Sequence, residues 1–371
     1  MHILVTGGAG FIGSHVVDIL FERGHRVRVL DALAAQVHGR DRQRPAYLDN
    51  RAELMVGRLE EPGLVEEALD DIDSVVHLAS AVGVGQSMYQ IVDYCKTNVI
   101  GTARLLQGII DSKRSFRSLV VASSMSAYGE GRYRKTDGQL VNPKLRPEAQ
   151  LSRGDWEVYT KDREKLEPVP TDEEKPLNPS SIYAVNKRDQ EEMCLSVGSA
   201  YGIPATALRF FNVYGSRQAL SNPYTGVAAI FCARLLNDRP PLVFEDGLQM
   251  RDFVHVNDIA SAVVAAAEKP VAGEALNIGS GESVSVLRVA EALSREMNKN
   301  IEPRVLGKFR SGDIRHCFAD INKAKRLLDW TPSITFHGGI PELIEWVRFQ
   351  HGARDGVDSA WGELQQRGLL M

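Results

Sequence analysis

The chain is poor in cysteine, and its four cysteines are scattered. Cys95, Cys194, Cys232 and Cys317 include no C-x-x-C pair. A small secreted domain would need paired cysteines for a disulfide framework, and a structural zinc site would need closely spaced ones. We therefore expect neither disulfides nor a zinc site, and we expect a reducing cytoplasm as the compartment.

The chain also lacks a long apolar run and an excess of positive charge. No apolar stretch approaches the ~18 residues that cross a membrane, and the first residues already predict a strand, so we expect no signal peptide. Lys and Arg number 44 against 48 Asp and Glu, which leaves no basic field for nucleic acid. With 371 residues, 43% of them hydrophobic, a soluble globular protein of roughly two domains remains.

What the chain does have is a strand, a glycine-rich turn and a helix at its N-terminus. The apolar run 2–6 precedes Gly7, Gly10 and Gly13, which are spaced G-x-x-G-x-x-G, and the amphipathic stretch 14–23 follows. Gly7 permits the tight turn, Gly10 lets backbone N–H groups approach a pyrophosphate, and Gly13 lets helix and strand pack closely. An ordinary turn is the alternative, but the order of elements predicts a dinucleotide-binding fingerprint.

A second predicted strand, 26–30, ends in Asp31. A carboxylate at this place accepts hydrogen bonds from the adenosine ribose of NAD and repels the 2′-phosphate of NADP, so we predict NAD. Three arginines of the next loop, Arg40, Arg42 and Arg44, could bind such a phosphate, which leaves NADP as the alternative.

Strands and helices alternate through the first half of the chain. Further strands are predicted at 53–56, 74–78 and 118–122, and a long helical stretch at 88–112. This alternation predicts an α/β fold with a doubly wound parallel Rossmann sheet, whose ligands lie beyond the carboxyl ends of the strands. The pattern is interrupted at 130–179 by a polar insertion, for which a surface loop and a lid or partner-binding element are both open.

The last third of the chain has shorter and mixed elements. These cannot form a second doubly wound sheet, and they predict a smaller mixed α/β domain that binds substrate. The predicted organisation is an NAD-binding domain at 1–210, a substrate domain at 211–350 and a C-terminal tail at 351–371. A short helix is expected around Trp361.

Tyr183 and Lys187 have the spacing Y-x-x-x-K. Residues four apart share one face of a helix, and an ammonium beside a phenol favours phenolate and lowers the pKa of the tyrosine. Such a phenol can take a proton from an alcohol while a nicotinamide takes the hydride. Ser124 is predicted to hydrogen-bond the substrate hydroxyl, with Ser123 as its nearest competitor. A solvated helix face is the alternative for the pair.

Together these residues resemble the extended short-chain dehydrogenase/reductase family, in its nucleotide-sugar branch. The resemblance covers about residues 1 to 350. Its further marks are Asn98-Val-Ile-Gly101-Thr102, Ser124 with Tyr128-Gly129, Arg209-Phe-Phe-Asn212-Val-Tyr-Gly215, Arg251-Asp-Phe-Val-His-Val256, Asn277-Ile-Gly279 and Arg310-Ser-Gly-Asp313.

The resemblance implies two sets of binding residues. The cofactor set is Gly7, Gly10, Phe11, Ile12, Gly13, Asp31, Leu78, Ala79, Asn98, Tyr183, Lys187 and Phe210. The substrate set is Ser124, Ser126, Asn212, Arg251, Arg310, Asp313 and Cys317.

Within the substrate set, the resemblance places Asn212, Arg251 and Arg310 on the diphosphate. Asp313 is implied for a nucleotide ribose, and Cys317 for the space beside the C2 substituent of the sugar. An arginine fork suits a diphosphate because it donates bidentate, charge-assisted hydrogen bonds. The alternative for Arg251 is a salt bridge with a neighbouring aspartate, Asp252 or Asp258.

The family divides according to the residues that follow the catalytic serine. Dehydratases have Thr-Asp-Glu there and decarboxylases keep a glutamate two places on, whereas this chain has Ser124-Met125-Ser126. The resemblance therefore implies redox at one carbon, which is the 4-epimerase pattern, with Tyr183 as acid/base and Lys187 on the nicotinamide ribose. Alternatives are a nucleotide-4-ketosugar reductase, a 4,6-dehydratase that uses a carboxylate from Glu130 or the insertion, and a dinucleotide-sensing regulator.

The stretch 81–89 and the long insertion resemble the dTDP-L-rhamnose 4-epimerase subgroup in particular, and UDP-glucose 4-epimerases are also similar. That subgroup implies cysteine pairs for zinc in the insertion, but this insertion contains no cysteine, so we expect no metal. The expected partner is a dTDP- or UDP-linked sugar, with no nucleic acid and no membrane. A homodimer is implied through helices around 88–112 and 181–201.

Overall fold

The computed structural model describes residues 1–350 and 355–371. The first four residues of the predicted tail, 351–354, lie outside the described part. The strands are β1 His2–Thr6, β2 Arg26–Asp31, β3 Glu53–Val56, β4 Ser74–His77, β5 Ser118–Ser124, β6 Arg132–Arg134, β7 Leu140–Val141, β8 Glu167–Val169, β9 Ala205–Phe210, β10 Asn212–Tyr214, β11 Leu242–Val243, β12 Met250–Arg251, β13 Phe253–His255, β14 Glu274–Ile278, β15 Val284–Ser285 and β16 Arg304–Val305.

The helices are α1 Phe11–Glu22, α2 Ala35–His38, α3 Leu64–Ala68, α4 Val84–Ser87, α5 Ile91–Cys95, α6 Gly101–Asp111, α7 Glu148–Leu151, α8 Ile182–Tyr201, α9 Val227–Leu236, α10 Val256–Glu268, α11 Val286–Glu296, α12 Asn322–Leu328, α13 Phe336–Arg348 and α14 Val357–Gln366. A π-helical turn, Lys96–Ile100, joins α5 to α6, and a 3-10 turn, Met125–Tyr128, follows β5. None of the helices in the described ranges is long and apolar enough to cross a membrane.

The main sheet contains seven of the described strands in the order β14-β9-β5-β4-β1-β2-β3. Every neighbouring pair in it is parallel. Strand order reverses between β1 and β4, so this is the switch point beyond which a doubly wound sheet binds its ligands. The predicted Rossmann fold is confirmed.

Apolar side chains alternate between the two faces of the sheet. Ile3 and Val5 of β1 belong to a core cluster beneath α1 and α10, whereas Leu4 belongs to the cluster on the other face, beneath α3, α6 and α8. Each of these side chains is fully buried, which stabilises the fold by about 1.5–3 kcal/mol per side chain. A third cluster joins α9, α11 and α13 outside the sheet.

The boundary predicted at residue 210 does not follow the main sheet. β14 comes from the predicted substrate domain, yet it pairs with β9 along Glu274–Ile278 and forms the edge of the sheet. α10 packs on α1 in the core beneath the same sheet. The chain therefore returns to the Rossmann core after residue 250, because the open edge of β9 is covered by a strand from later in the sequence.

Two helices of the last third begin at side chains that cap them. α11 begins at Val286, because 284–285 pair with β12 and Ser285 caps the helix by accepting from Arg288 N at 3.3 Å. α13 begins at Phe336, capped by Thr335. The short helix expected around Trp361 is α14.

The insertion at 130–179 contains ordered secondary structure. Its strands form the small antiparallel sheet β7-β6-β8, which covers a cluster of Tyr133, Val158 and Leu166. All three side chains are buried. The simple surface loop is therefore the wrong alternative for this segment.

Candidate active site

A cavity of about 800 Å³ runs along the carboxyl edge of the main sheet. Of the residues predicted from the sequence, those that line it are Gly7, Gly10, Phe11, Ile12, Gly13, Asp31, Leu78, Ala79, Ser124, Ser126, Tyr183, Lys187, Phe210, Asn212, Arg251, Arg310 and Asp313. We call the part around the glycines and Asp31 the cofactor end, and the part around Arg251 and Arg310 the substrate end. Ser124 and Tyr183 lie between the two.

Asn98 and Cys317 are outside the lining, which corrects two sequence predictions. Asn98 is fully buried, and its side-chain amide bonds both backbone groups of Ala81, at 2.7 and 3.1 Å; it holds a cavity loop instead of facing the cavity. Cys317 is 1% exposed because it bridges the backbone of Arg251, and its thiol contacts Thr171 Oγ1 at 3.8 Å. Cys317 therefore does not border the space for a sugar.

At the cofactor end, glycines let neighbouring backbone segments approach one another closely. Gly7 has φ +71°, and a Cβ on Gly13 would lie 2.2 Å from the carbonyl oxygen of Gly7. α1 begins at Phe11, which is earlier than the sequence pattern predicted, so its N-terminal N–H groups face the cavity. A helix N-terminus approached this closely by backbone fits a pyrophosphate.

Asp31 ends β2 with its carboxylate fixed by the backbone. Its two oxygens accept from Ala9 N at 3.0 Å and Leu33 N at 2.9 Å. Of the competing arginines, Arg42 and Arg44 donate to backbone carbonyls near their own loop, and none of the three lines the cavity. This arrangement fits NAD better than NADP, because no arginine of that loop is placed for a 2′-phosphate.

Tyr183 lies in the first turn of α8, which Ser181 caps by accepting from Ala184 N at 3.1 Å. Burial raises the pKa of the Tyr183 phenol to about 12, and the Ser124 side chain beside it has a smaller, lowering effect on that pKa. Ser126 donates to Ser124 at 2.9 Å. Ser123 has a buried hydroxyl without a partner in the described structure. Geometry thus favours Ser124 over Ser123 beside the phenol.

Lys187 donates from Nζ to the carbonyl of Ala122 at 2.9 Å. Burial lowers the pKa of this lysine to about 7, and its charge is not among the causes that set the pKa of Tyr183. The expectation that Lys187 lowers the pKa of the phenol is therefore not met in this state, because desolvation dominates for both groups.

The turn that carries the two serines is held from beneath by a buried polar network. Tyr128 donates to Asn277 Oδ1 at 2.7 Å and receives a hydrogen bond from Arg209 at 2.8 Å. Arg209 pairs with Glu191 of α8 at 2.5 Å. These family marks from β9, β14 and α8 fix the position of Ser124 relative to Tyr183.

Five carboxylate residues line the cavity within the described part of the chain. They are Asp31, Glu60, Asp93, Glu245 and Asp313. Glu130 was the predicted candidate for a base near the sugar, but it is 1% exposed and accepts hydrogen bonds from Tyr133 and from the backbone of Arg315 and His316. Glu130 is therefore a structural residue and not a base.

The substrate end presents two arginines to the cavity. Arg251 donates to the carbonyls of Met250, Ile314 and Arg315 at 2.7–2.9 Å. Arg310 pairs with Asp313 at 2.9 Å. Asn212 also lines the cavity, and its side-chain oxygen is buried without a partner in the described structure. Two guanidinium groups, of which that of Arg251 has no carboxylate partner among the described residues, fit a diphosphate.

Arg251 forms neither of the salt bridges that were its alternative. Asp252 instead accepts from the backbone of Ser280 and Gly281, and Asp258 accepts from the backbone of Ser333 and Ile334. Both carboxylates are occupied by other donors, so neither pairs with Arg251, which lines the cavity.

The sequence patterns missed a buried ion network that connects the insertion to the substrate end. Arg146 donates both terminal nitrogens to Glu245 at 2.9 Å, and Arg315 reaches Glu245 at 3.1 Å and Asp246 at 2.6 Å. The side chains of Arg146, Glu245 and Arg315 are 1–2% exposed. Arg146 also donates to the backbone of Asp313. No local spacing connects residues about 70 to 170 positions apart, so sequence patterns carry no signal for the network.

A family model described as the NAD dependent epimerase/dehydratase family matches residues 3–150 and 156–279. The dTDP-L-rhamnose 4-epimerase of Burkholderia thailandensis is 36% identical over 349 residues, covering 93% of this chain and 94% of the relative. A putative UDP-glucose 4-epimerase of Methanocaldococcus jannaschii is 32% identical over 348 residues, covering 93% and 98%. The crystal structure of a Thermotoga maritima UDP-glucose 4-epimerase with UDP-glucose has a TM-score of 0.76 and 31% identity, covering 94% of this chain and 99% of that one.

Proposed function

This chain belongs to the NAD dependent epimerase/dehydratase family, and from that premise we propose that it is an NAD-dependent 4-epimerase of a nucleotide-diphosphate sugar. The observation that carries the proposal is that Tyr183 and Ser124 line the same cavity as the glycine-rich turn with Asp31 and the arginines Arg251 and Arg310. Met125 and Ser126, which follow Ser124, offer no base near neutral pH, and Glu130 is occupied by hydrogen-bond donors. Redox at one carbon is the chemistry left to these residues.

NAD fits the cofactor end. Gly7, Gly10 and Gly13 would accommodate its pyrophosphate, Asp31 its adenosine ribose and Lys187 its nicotinamide ribose. Bound there, NAD would supply the hydride acceptor and donor for C4 of the sugar, and the positive charge of its oxidised ring would favour phenolate at Tyr183.

The chain's own residues handle the proton. Tyr183 takes the proton of the C4 hydroxyl as the carbon is oxidised and returns it when the carbon is reduced from the other face. Ser124, which lines the cavity together with Tyr183, would orient that hydroxyl. Arg251 and Arg310 would hold the diphosphate, so the sugar itself stays free to present either face of C4.

The substrate proposed is a UDP- or dTDP-linked sugar. This rests on the relatives, whose names specify dTDP-L-rhamnose and UDP-glucose. Incubation of the purified protein with UDP-, dTDP-, GDP- and CDP-sugars, followed by NMR, should show formation of a C4 stereoisomer from a UDP- or dTDP-sugar without added reductant. Activity only on an added nucleotide-4-ketosugar, with consumption of added NADH, would instead identify a 4-ketosugar reductase.

We further propose that the protein works as a homodimer in the cytoplasm. Apolar side chains stay exposed on the helices predicted to pair, among them Ile91, Val92, Ile100 and Val185, of which Val92 is 76% exposed. The four cysteines are free, as a reducing compartment allows. Light scattering should give twice the chain mass for the native protein and the chain mass for Val92→Glu.

A further inference from the structure

Residues 355–371, which we call the C-terminal segment, border the substrate end of the cavity. Four side chains of α14 are part of the lining: Val357, Ala360, Trp361 and Leu364. A helix of ten residues is not stable alone in water, so α14 depends on contacts with the rest of the protein. Those contacts occur at the start, the middle and the end of the segment.

The start of the segment is fixed by ion pairs, of which the one between Arg234 and Asp355 is buried on both sides. Arg234, a lining residue of α9 that is 5% exposed, pairs with Asp355 at 3.2 Å and with Asp358 at 3.1 Å. Arg239 contacts the same two carboxylates at 3.3 and 2.7 Å. An arginine held between two carboxylates fixes the direction in which α14 leaves the body of the protein.

The middle of the segment is bonded to two tyrosines from different parts of the chain. Glu363 accepts from Tyr89 at 2.7 Å and from Tyr224 at 3.2 Å, and the two hydroxyls are also hydrogen-bonded to each other. Leu364 packs against Gly85, where a Cβ on the glycine would lie 3.3 Å from the leucine side chain. Tyr89 follows α4 and Tyr224 precedes α9, so α14 is held where these two parts of the chain meet.

The end of the segment pairs with the strand that carries Arg310. Phe309 and Met371 exchange two backbone hydrogen bonds, at 3.1 and 3.0 Å, and Ser311 donates to Leu369 at 3.2 Å. Arg310 bridges Leu370 between them. The backbone of Arg310 is therefore positioned by the last three residues of the chain.

Trp361 connects the helix to the same arginine. Its ring packs on Phe244 with centroids 5.1 Å apart, and the guanidinium of Arg310 lies 4.8 Å from the centroid of Phe244. All three residues line the cavity. The C-terminal segment thus supplies the aromatic ring of Trp361 and also the backbone contacts that position Arg310.

We propose that the C-terminal segment completes the nucleotide-sugar site: Trp361 is a specificity-determining wall of the nucleotide pocket, and residues 369–371 position Arg310. The ligand class rests on the proposed function. A planar aromatic wall beside a positioned guanidinium suits a pyrimidine nucleoside diphosphate, because the ring meets an apolar face and the phosphates meet the cation.

The test compares four forms of the NAD-loaded enzyme: wild type, Trp361→Ala, a deletion of 369–371, and Gln365→Ala as an exposed control on the same helix. Titration calorimetry with UDP and with dTDP should show binding about tenfold weaker for the first two variants and unchanged for the control, the scale of one lost aromatic or charge contact. KM for the nucleotide sugar should rise by about the same factor, with kcat changed less.

NAD affinity serves as the folding control, since the cofactor end is remote from the segment. If Trp361→Ala does not retain NAD, Trp361→Phe and the deletion decide the test. Nucleotide binding at wild-type strength in variants that retain NAD would overturn the proposal, and tighter binding would show that the segment blocks the site. Wild-type enzyme that binds neither UDP nor dTDP would contradict the proposed function and the ligand assigned here together.

Discussion

The two ends of the cavity are built in different ways. The cofactor end comes from one continuous stretch, residues 1–31, in which glycine spacing and a strand-end carboxylate create the shape. The substrate end is assembled from side chains that are far apart in sequence, including Arg146, Glu245, Arg310 and Trp361. Local backbone geometry determines the first, and long-range ion pairs and packing determine the second. The following predictions test that difference, from the largest expected effect to the smallest.

Tyr183→Phe should remove the proton transfer without changing binding at either end of the cavity. The phenol supplies the proton transfer, which contributes about 10²–10⁴ in rate, whereas the ring only packs. Turnover should fall by that factor while NAD affinity and nucleotide affinity stay near wild type. Steady-state kinetics and calorimetry on the same preparation check this. More than about a tenth of wild-type activity in the variant would show that Tyr183 is not the acid/base.

Arg146→Ala should damage the substrate end selectively. The substitution leaves Glu245 buried with Arg315 as its remaining arginine partner in the described structure. Breaking a buried ion pair lowers the free energy of unfolding by about 3–5 kcal/mol. Urea unfolding should show that loss, and KM for the nucleotide sugar should rise while NAD affinity is retained.

The matched control is Arg134→Ala in the same insertion. Its pair with Glu167 is about half exposed on both sides, so the expected cost is about 0–1 kcal/mol. Equal losses of stability in the two variants would contradict the role given to the buried network.

Asp31→Asn tests whether one carboxylate determines the choice of cofactor. The amide keeps the shape and an acceptor for the backbone, but removes the charge that repels a 2′-phosphate. NAD should bind roughly 10-fold more weakly. The ratio of NAD affinity to NADP affinity should therefore be smaller in the variant than in wild type. Calorimetry with both dinucleotides measures this, and tighter binding of NADP by wild-type protein would overturn the assignment of NAD.

Lys187 should give the unfolding free energy a pH dependence. Burial lowers its pKa from 10.5 to about 7, so between these values the unfolded chain binds more protons than the folded protein. The stability of nucleotide-free protein should therefore gain a rising contribution from pH 7 upwards. Urea unfolding at pH 7, 8 and 9 should show that contribution in wild type and not in Lys187→Met. Identical slopes of unfolding free energy against pH in the two proteins would show that a group other than Lys187 causes the pH dependence.

The same contrast explains how far the sequence could predict the structure. Glycine spacing and apolar periodicity are local signals, so they predicted the Rossmann sheet, and the residues assigned to the fingerprint line the cavity as expected. The boundary at residue 210 was wrong because the pairing of β14 with β9 is a long-range event.

Cys317 shows the limit of transferring a position from a resemblance. Its place in the sequence matches, but the bridge with Arg251 turns its thiol away from the cavity. Glu245 shows the limit of composition, since its buried carboxylate is paired by Arg146 and Arg315, which come from distant segments. Residues whose role depends on such partners cannot be identified from spacing.

The most direct test of single-carbon redox is the fate of solvent deuterium and of water during turnover. Mass spectrometry and NMR of the product formed in D₂O should show C4 epimers of unchanged mass, with no deuterium at C5 or C6. The reason is that Met125 and Ser126 offer no base near neutral pH and Glu130 is bound by backbone donors. A product lighter by one water, or deuterium at C5, would make this chain a dehydratase and contradict the epimerase account.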